Sequence, residues 1–143
     1  MYAIPSDKQA RPGVAAQLSN ALNAVQAWTA RSGDGRTFRI ADNAPLQVVA
    51  IPRTAAALGA PGPGENPALA FHAHVVDEVF RAIGANYGQP RRVWIIYVEA
   101  DPPCGSLFGG ASVPGGAGVA VLPANDIRGL VGEAPINLCT GAV

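Results

Sequence analysis

The chain of 143 residues has few charged, aromatic and cysteine residues. Charged residues make up 14% of it, whereas about 25% is usual in soluble domains. Ten lysines and arginines balance ten acidic residues, so the chain lacks the basic excess of a typical nucleic-acid-binding protein. No apolar run approaches the roughly 18 residues that a membrane-spanning helix requires. We therefore expect neither nucleic acid as a partner nor a membrane span.

The chain is instead rich in apolar and small residues, with 49% hydrophobic residues, 17 glycines and 13 prolines. Its length suits one domain with a hydrophobic core of its own. Because no internal repeat or linker divides it, we predict a single domain over residues 1–143.

Two stretches, Pro12–Arg31 and Ala68–Asn86, have apolar residues at helical spacing. The apolar stripe of the first contains Val14, Leu18, Ala21, Leu22, Val25 and Trp28. The predicted strands are Tyr2–Ile4, Thr37–Ile40, Leu46–Ile51, Val93–Val98 and Gly118–Leu122. These elements predict an α+β fold with α/β-like connections, in which a mixed twisted sheet carries both amphipathic helices.

Val93–Val98 is apolar on both faces, which is typical of a central, fully covered strand. Together with Leu46–Ile51 and the second helix it predicts a right-handed βαβ crossover. Residues 99–118 show no periodicity and predict a long glycine-rich loop, and residues 125–130 predict one helical turn.

Cys104 and Cys139 are the only cysteines, and both lie in non-periodic sequence that is rich in glycine and proline. They are compatible with a disulfide, with two buried thiols, or with one catalytic thiol and a spectator. We favour the disulfide, because it would stabilise these loops by roughly 3–4 kcal/mol. A disulfide indicates an oxidising compartment, so we expect a secreted or extracytoplasmic protein.

His72 and His74 are the only histidines. On a strand they would share one face, but on a helix they lie about 200° apart and cannot bind the same metal ion. The helical period around them favours the second arrangement. The glycine-rich run 109–118 lacks the lysine and the following helix of a phosphate-binding loop. The residues thus contain no complete triad, carboxylate pair or zinc-ligand set.

Several short segments, taken in order over most of the chain, resemble the N-terminal half of secreted zinc metallopeptidases of the zincin type, closest in layout to metzincins. The segments are Tyr2-Ala3-Ile4-Pro5-Ser6-Asp7, Val25-Gln26-Ala27-Trp28, Gly35-Arg36-Thr37-Phe38-Arg39, Arg92–Val98, Cys104-Gly105, Gly116–Pro123 and Asp126–Leu130. The resemblance implies a zinc cofactor and a metal-activated water that attacks a peptide carbonyl. The chain lacks the H-E-x-x-H helix of that family, and it ends at Val143, about where this helix would begin.

The resemblance therefore implies a truncated or processed chain whose zinc ligands and general base lie beyond Val143, and which is inactive alone. Its partners would be a peptide or protein substrate and a C-terminal catalytic half. The expected substrate-binding edge strand consists of Gly118, Val119, Ala120, Val121 and Leu122. Cys104 would be the family's cysteine and Cys139 its partner.

Two other functions stay open from the sequence. A non-catalytic secreted module on the same scaffold would bind peptides by edge-strand pairing without metal. An intracellular thiol protein would keep Cys104 and Cys139 free.

Overall fold

The computed structural model describes residues 1–41, 46–89, 92–112, 116–137 and 139. Within these residues the chain forms five strands and four helices. In chain order they are β1 (Tyr2–Pro5), α1 (Val14–Ser32), β2 (Val48–Ile51), α2 (Ala55–Gly59), α3 (Pro67–Ile83), β3 (Val93–Val98), β4 (Gly109–Ser112), β5 (Gly118–Leu122) and α4 (Ala124–Leu130). This arrangement confirms the predicted α+β class.

The strands form one mixed sheet in the order β2-β1-β3-β5-β4. β1 pairs in parallel with β2 on one side and with β3 on the other, and β3 pairs in parallel with β5. β4 is antiparallel to β5 and lies at the end of the sheet. The connection from β2 to β3 passes over β1, so β2 and β3 are parallel but are not neighbours.

The expectation that Gly118–Leu122 forms an edge strand is wrong. This segment is β5, and it lies between β3 and β4. Its backbone pairs with β3 from Val93 to Tyr97 and with β4 from Gly109 to Ser112. The position of β5 inside the sheet could not be predicted from the sequence, because its partner Gly109–Ser112 has no apolar alternation and its composition predicts a loop.

α3 covers one face of the sheet and contributes more residues to the core there than any other described element. Asn66 caps the helix by accepting a hydrogen bond from Ala68 N at 3.0 Å, Pro67 occupies the first turn, and Gly84 ends it with a φ of 68°. The core beneath it is made of Ala3, Val49, Ile51, Leu58, Phe71, Val75, Val76, Val79, Phe80, Ile96, Val98, Ala100, Val119 and Val121.

α1 lies on the opposite face, where Val14 and Leu18 pack with Tyr2 and with Ile127 of α4. The predicted stripe continues to Trp28, but Trp28 is 62% exposed. The 19 residues of α1 make it about 28 Å long, whereas strands of four to six residues span only about 13–20 Å. The C-terminal part of the helix therefore extends past the strands that it packs on.

Two other expectations fail locally. Thr37–Ile40 is not a strand; Thr37 Oγ1 donates to Gln26 O at 3.0 Å, and Gln26 Nε2 donates to Phe38 O at 2.8 Å, so the segment lies along α1 instead. β3 is central as predicted but not fully covered, because Val93 is 75% exposed.

In the described part of the chain, no helix combines the length and the apolar character needed to cross a membrane.

The contact between α2 and Pro103 gives a test of the fold. A Cβ atom on Gly59 would lie 2.5 Å from Pro103 Cδ. We predict that Gly59→Ala lowers the free energy of unfolding by about 1–3 kcal/mol, because the ring of Pro103 must move away from α2 to admit the methyl group. The measurement is urea unfolding followed by circular dichroism.

The matched control is Gly129→Ala in α4, where no atom lies within 4 Å of the added Cβ. It should raise stability by up to about 1 kcal/mol, since alanine favours a helix over glycine. Equal stability of the Gly59→Ala variant and the wild type would contradict the packing of α2.

Candidate functional site

The outer edge of β4, on the side away from β5, is a sheet edge that no described strand pairs with. Natural proteins usually protect such edges with charged residues or proline, since the unpaired backbone groups attract other strands. Here the whole stretch 102–125 contains no charged residue, and β4 itself contains no proline. The edge can therefore accept a further strand.

Apolar side chains flank the start of this edge. Leu107 and Phe108, which directly precede β4, are 57% and 52% exposed. Leu107 N donates a hydrogen bond to Ala68 O at 2.6 Å, which holds the segment against the first turn of α3. Leu69, in the same turn, is 49% exposed. A strand added beside β4 would meet apolar contacts here as well as backbone groups.

Part of the sheet face opposite α3 is uncovered. Ile96 and Val121 point into the α3 core, so by strand alternation Ile95, Ala120 and Leu122 point to the other face. These three side chains are only half-buried, and Val93 on the same face is largely exposed. Among the described residues, the cluster that α1 and α4 form on this face reaches β1 and Tyr97 of β3 but includes no residue of β5.

Cys104 and Cys139 form a disulfide, as predicted, with their Cα atoms 5.3 Å apart. The bond joins the loop before β4 to the segment after α4. The alternatives with free thiols do not hold in this structure.

Both histidines lie on α3, as the helical period predicts. His74 is buried; its Nδ1 atom lies 3.0 Å from Leu58 O and its Nε2 atom 2.9 Å from Glu65 Oε2. The pKa of Glu65 is lowered, first by the hydrogen bond from Gly62 N and further by His74. His74 therefore holds the loop before α3 in place.

Zinc does not fit the residues that the structure describes. Among them, no group of three or more His, Cys, Asp or Glu side chains is arranged to hold a metal ion. His72 faces β4 and β5, while His74 is engaged by Leu58 and Glu65. The interpretation of both histidines as non-ligands stays a prediction.

A cavity of about 280 Å³ lies at the carboxyl ends of the parallel strands. After β1 the chain continues to β2 on one side of the sheet, and after β3 it continues to β4 and β5 on the other side. The cavity lies at this change of direction, a position at which many open α/β sheets bind ligands. Its lining residues are Lys8, Arg11, Ala55, Ala56, Glu99, Ala100, Asp101, Ala124 and Arg128.

The charges at this cavity are largely matched within the fold. Glu99, 5% exposed, accepts hydrogen bonds from Tyr2 Oη and from Arg11 Nε, the latter at 2.9 Å to Oε2. Arg11 also pairs with Glu133, and Arg128 pairs with Asp101 at 2.7 Å. Burial, then the hydrogen bond to Glu99, raises the pKa of the Tyr2 hydroxyl.

Carboxylates at the cavity therefore already engage both arginines. Asp126 lies nearby, and its pKa is raised by burial and by the charge of Asp101. An incoming anion would meet these carboxylates, so we interpret this cluster as a brace between strand ends and helices. The candidate functional site is the β4 edge.

A scan against protein-family models, a search of curated proteins and a search of solved structures each found no match to this chain.

Sequence reasoning missed β4 and the Glu99 cluster for different reasons. Gly-Gly-Ala-Ser has low strand propensity, and only its pairing with β5 makes it a strand. The cluster joins Tyr2, Arg11 and Glu99 across almost a hundred residues, which no local pattern indicates. The signal that the sequence did contain was the absence of charge over 102–125.

The brace gives a second prediction. Arg11→Gln should lower the free energy of unfolding by about 1–3 kcal/mol, because it leaves the buried Glu99 carboxylate without its cationic partner. Chemical denaturation at pH 7 measures the change.

Arg31→Gln is the control, since Arg31 is exposed and forms no ion pair with any described residue. We expect it to change stability by less than about 0.5 kcal/mol. Similar losses in the two variants would contradict the role of the pair.

Proposed function

We propose that this chain binds an extended peptide as an added strand beside β4, as the substrate-binding half of a secreted zinc-dependent peptidase. The observation that carries the proposal is the free, uncharged edge of β4. An extended peptide satisfies the unpaired N–H and C=O groups of such an edge with its own backbone.

The chemistry of the edge favours a peptide over a charged ligand. Backbone groups give hydrogen bonds without regard to side-chain sequence, so they would supply affinity for many peptides. Leu107 and Phe108, both about half exposed, would add a preference for apolar side chains near one end of the bound segment. The uncharged stretch 102–125 offers no partner for a charged side chain.

The uncovered part of the sheet supports the second half of the proposal. Ala120 and Leu122 of β5, the strand next to β4, and Ile95 of β3 lie on the part of the sheet face outside the cluster that α1 and α4 form. A further amphipathic segment packed there would bury these side chains and would stand next to a peptide bound at β4. We propose that this segment supplies the zinc ligands, because the described residues of this chain do not provide them.

The disulfide supports the proposed location. A Cys104–Cys139 bond persists in oxidising compartments such as the cell exterior. The alternative function, a non-catalytic secreted module, uses the same β4 edge and differs only in needing no metal-bearing segment.

Peptide binding is tested directly by NMR. The probe is a capped hexapeptide of alternating valine and threonine, flanked by lysines for solubility. We expect it to shift the amide signals of β4 and to protect them from hydrogen exchange, while the signals of β2 at the opposite edge stay unchanged.

Proline substitutions in β4 test whether the peptide binds at the outer edge of this strand. In an antiparallel pair, adjacent residues point their N–H groups alternately toward and away from the partner strand. One of Gly110→Pro and Ala111→Pro therefore removes an outward N–H group, and that variant should lose peptide binding while keeping its thermal stability. Unchanged binding in both variants, or shifts confined to another part of the sheet, would contradict the proposal.

The zinc content of the purified chain tests whether the zinc ligands lie outside residues 1–143. We expect residues 1–143, dialysed against micromolar zinc and measured by mass spectrometry, to retain far less than one zinc ion per chain. Stoichiometric zinc that is lost in the His72→Gln or the His74→Gln variant would contradict the placement of the ligands outside this chain.

A further inference from the structure

His72 lies on the side of α3 that faces the last two strands of the sheet. Its Nε2 atom is buried and has no hydrogen-bond partner among the described residues. Backbone groups of Gly109 in β4 and Val119 in β5 lie next to its ring and raise its pKa. A titratable group thus lies directly beneath the candidate peptide edge.

Among the described residues, no charge lies where it would stabilise an imidazolium at His72. β4 and β5 contain no ionisable residue, and the neighbours of His72 one turn away along α3 are Ala68, Leu69, Val75 and Val76. No charged side chain in the described part of the chain shifts the pKa of His72. Burial lowers the pKa of His72, and the backbone groups of Gly109 and Val119 oppose this effect only in part.

We propose that His72 is a proton sensor of the peptide-binding edge: its protonation loosens β4 from β5 and so weakens peptide binding. The loosening of β4 is inferred from the position of His72 beneath these strands. The weakening of peptide binding rests on the proposed function.

The reason that β4 would respond is its weak attachment. A protonated ring at this half-buried position would place a charge at the buried Nε2 atom without a described carboxylate partner, which is costly unless water reaches that atom. β4 has four residues, is rich in glycine and is held on one side only. Its displacement would admit water to the ring, whereas α3 and β5 are fixed by the core.

His74 provides the contrast within the same helix. Its ring already contacts the carboxylate of Glu65 at 2.9 Å and the carbonyl of Leu58 at 3.0 Å. His72 has no such acidic contact among the described residues, although the two histidines are only two residues apart.

The direction of the pH dependence follows from linkage. The neutral ring is favoured when β4 is in place, and the ordinary pKa of about 6.5 returns when β4 opens. The attachment of β4 is thus fully stable above pH of about 6.5 and weakens as the pH falls toward the lowered pKa. In that window the opening equilibrium constant should rise up to about tenfold for each pH unit.

The experiment measures amide hydrogen exchange in the peptide-free chain between pH 7.5 and 5, corrected for intrinsic exchange rates. In the wild type we expect the protection of the β4 and β5 amides to fall over this range. His72→Gln keeps a polar side chain that cannot be protonated, so its β4 protection should not vary with pH. The amides of β1 and β2 serve as the internal control.

Ring-proton NMR titration of the wild type makes the test independent of the variant. The midpoint of β4 opening should coincide with the titration of the His72 ring. Equal pH dependence of β4 protection in the wild type and in His72→Gln, or a midpoint that does not follow the His72 ring signals, would overturn the sensor.

The valine–threonine probe distinguishes the two proposals. Tighter binding at pH 7.5 than at pH 5, with no such difference in His72→Gln, supports both. Absence of binding at pH 7.5 together with pH-dependent β4 protection would overturn the peptide function and leave the sensor in place.

Discussion

The arrangement of the sheet and its helices depends on the hydrogen bonds and the ion pair that the buried carboxylate of Glu99 forms. This carboxylate lies directly after the central strand β3 and binds Tyr2 of β1 and Arg11 before α1. Arg11 reaches on to Glu133 behind α4. A carboxylate removed from water at this depth is stable only with such partners, so one group holds three parts of the chain in fixed positions. The same contacts account for the cavity at this end of the sheet.

The opposite side of the molecule is much less constrained. From β3 outward, the sheet is covered by α3 on one face and is partly open on the other, and it ends in the glycine-rich strand β4. The described residues thus have their charged contacts at the strand ends and leave an uncharged edge unpaired. The ion pairs fix the position of the sheet, and in the proposed function the unpaired edge receives a peptide strand.

The helices α1 and α3, the central position of β3 and the disulfide could be predicted from the sequence, because each has a local signal, whereas the short helix α2 was not predicted. Asn66-Pro67 and Gly84 mark both ends of α3, and Val93–Val98 is a continuous apolar run. The position of Gly118–Leu122 could not be predicted, since it depends on a partner strand, Gly109–Ser112, without strand propensity. Likewise, the exposure of Trp28 follows from the relative lengths of helix and strands. Pairing and length mismatch are tertiary effects.

We propose that a further segment completes the open sheet face beside β4 and carries the zinc ligands. The coding sequence past the codon for Val143 distinguishes the peptidase from a module without metal. We expect an open frame that encodes an amphipathic helix with two histidines four residues apart and a glutamate after the first. A stop codon at that point, or a frame without such a helix, would contradict the peptidase and would leave a peptide-binding module.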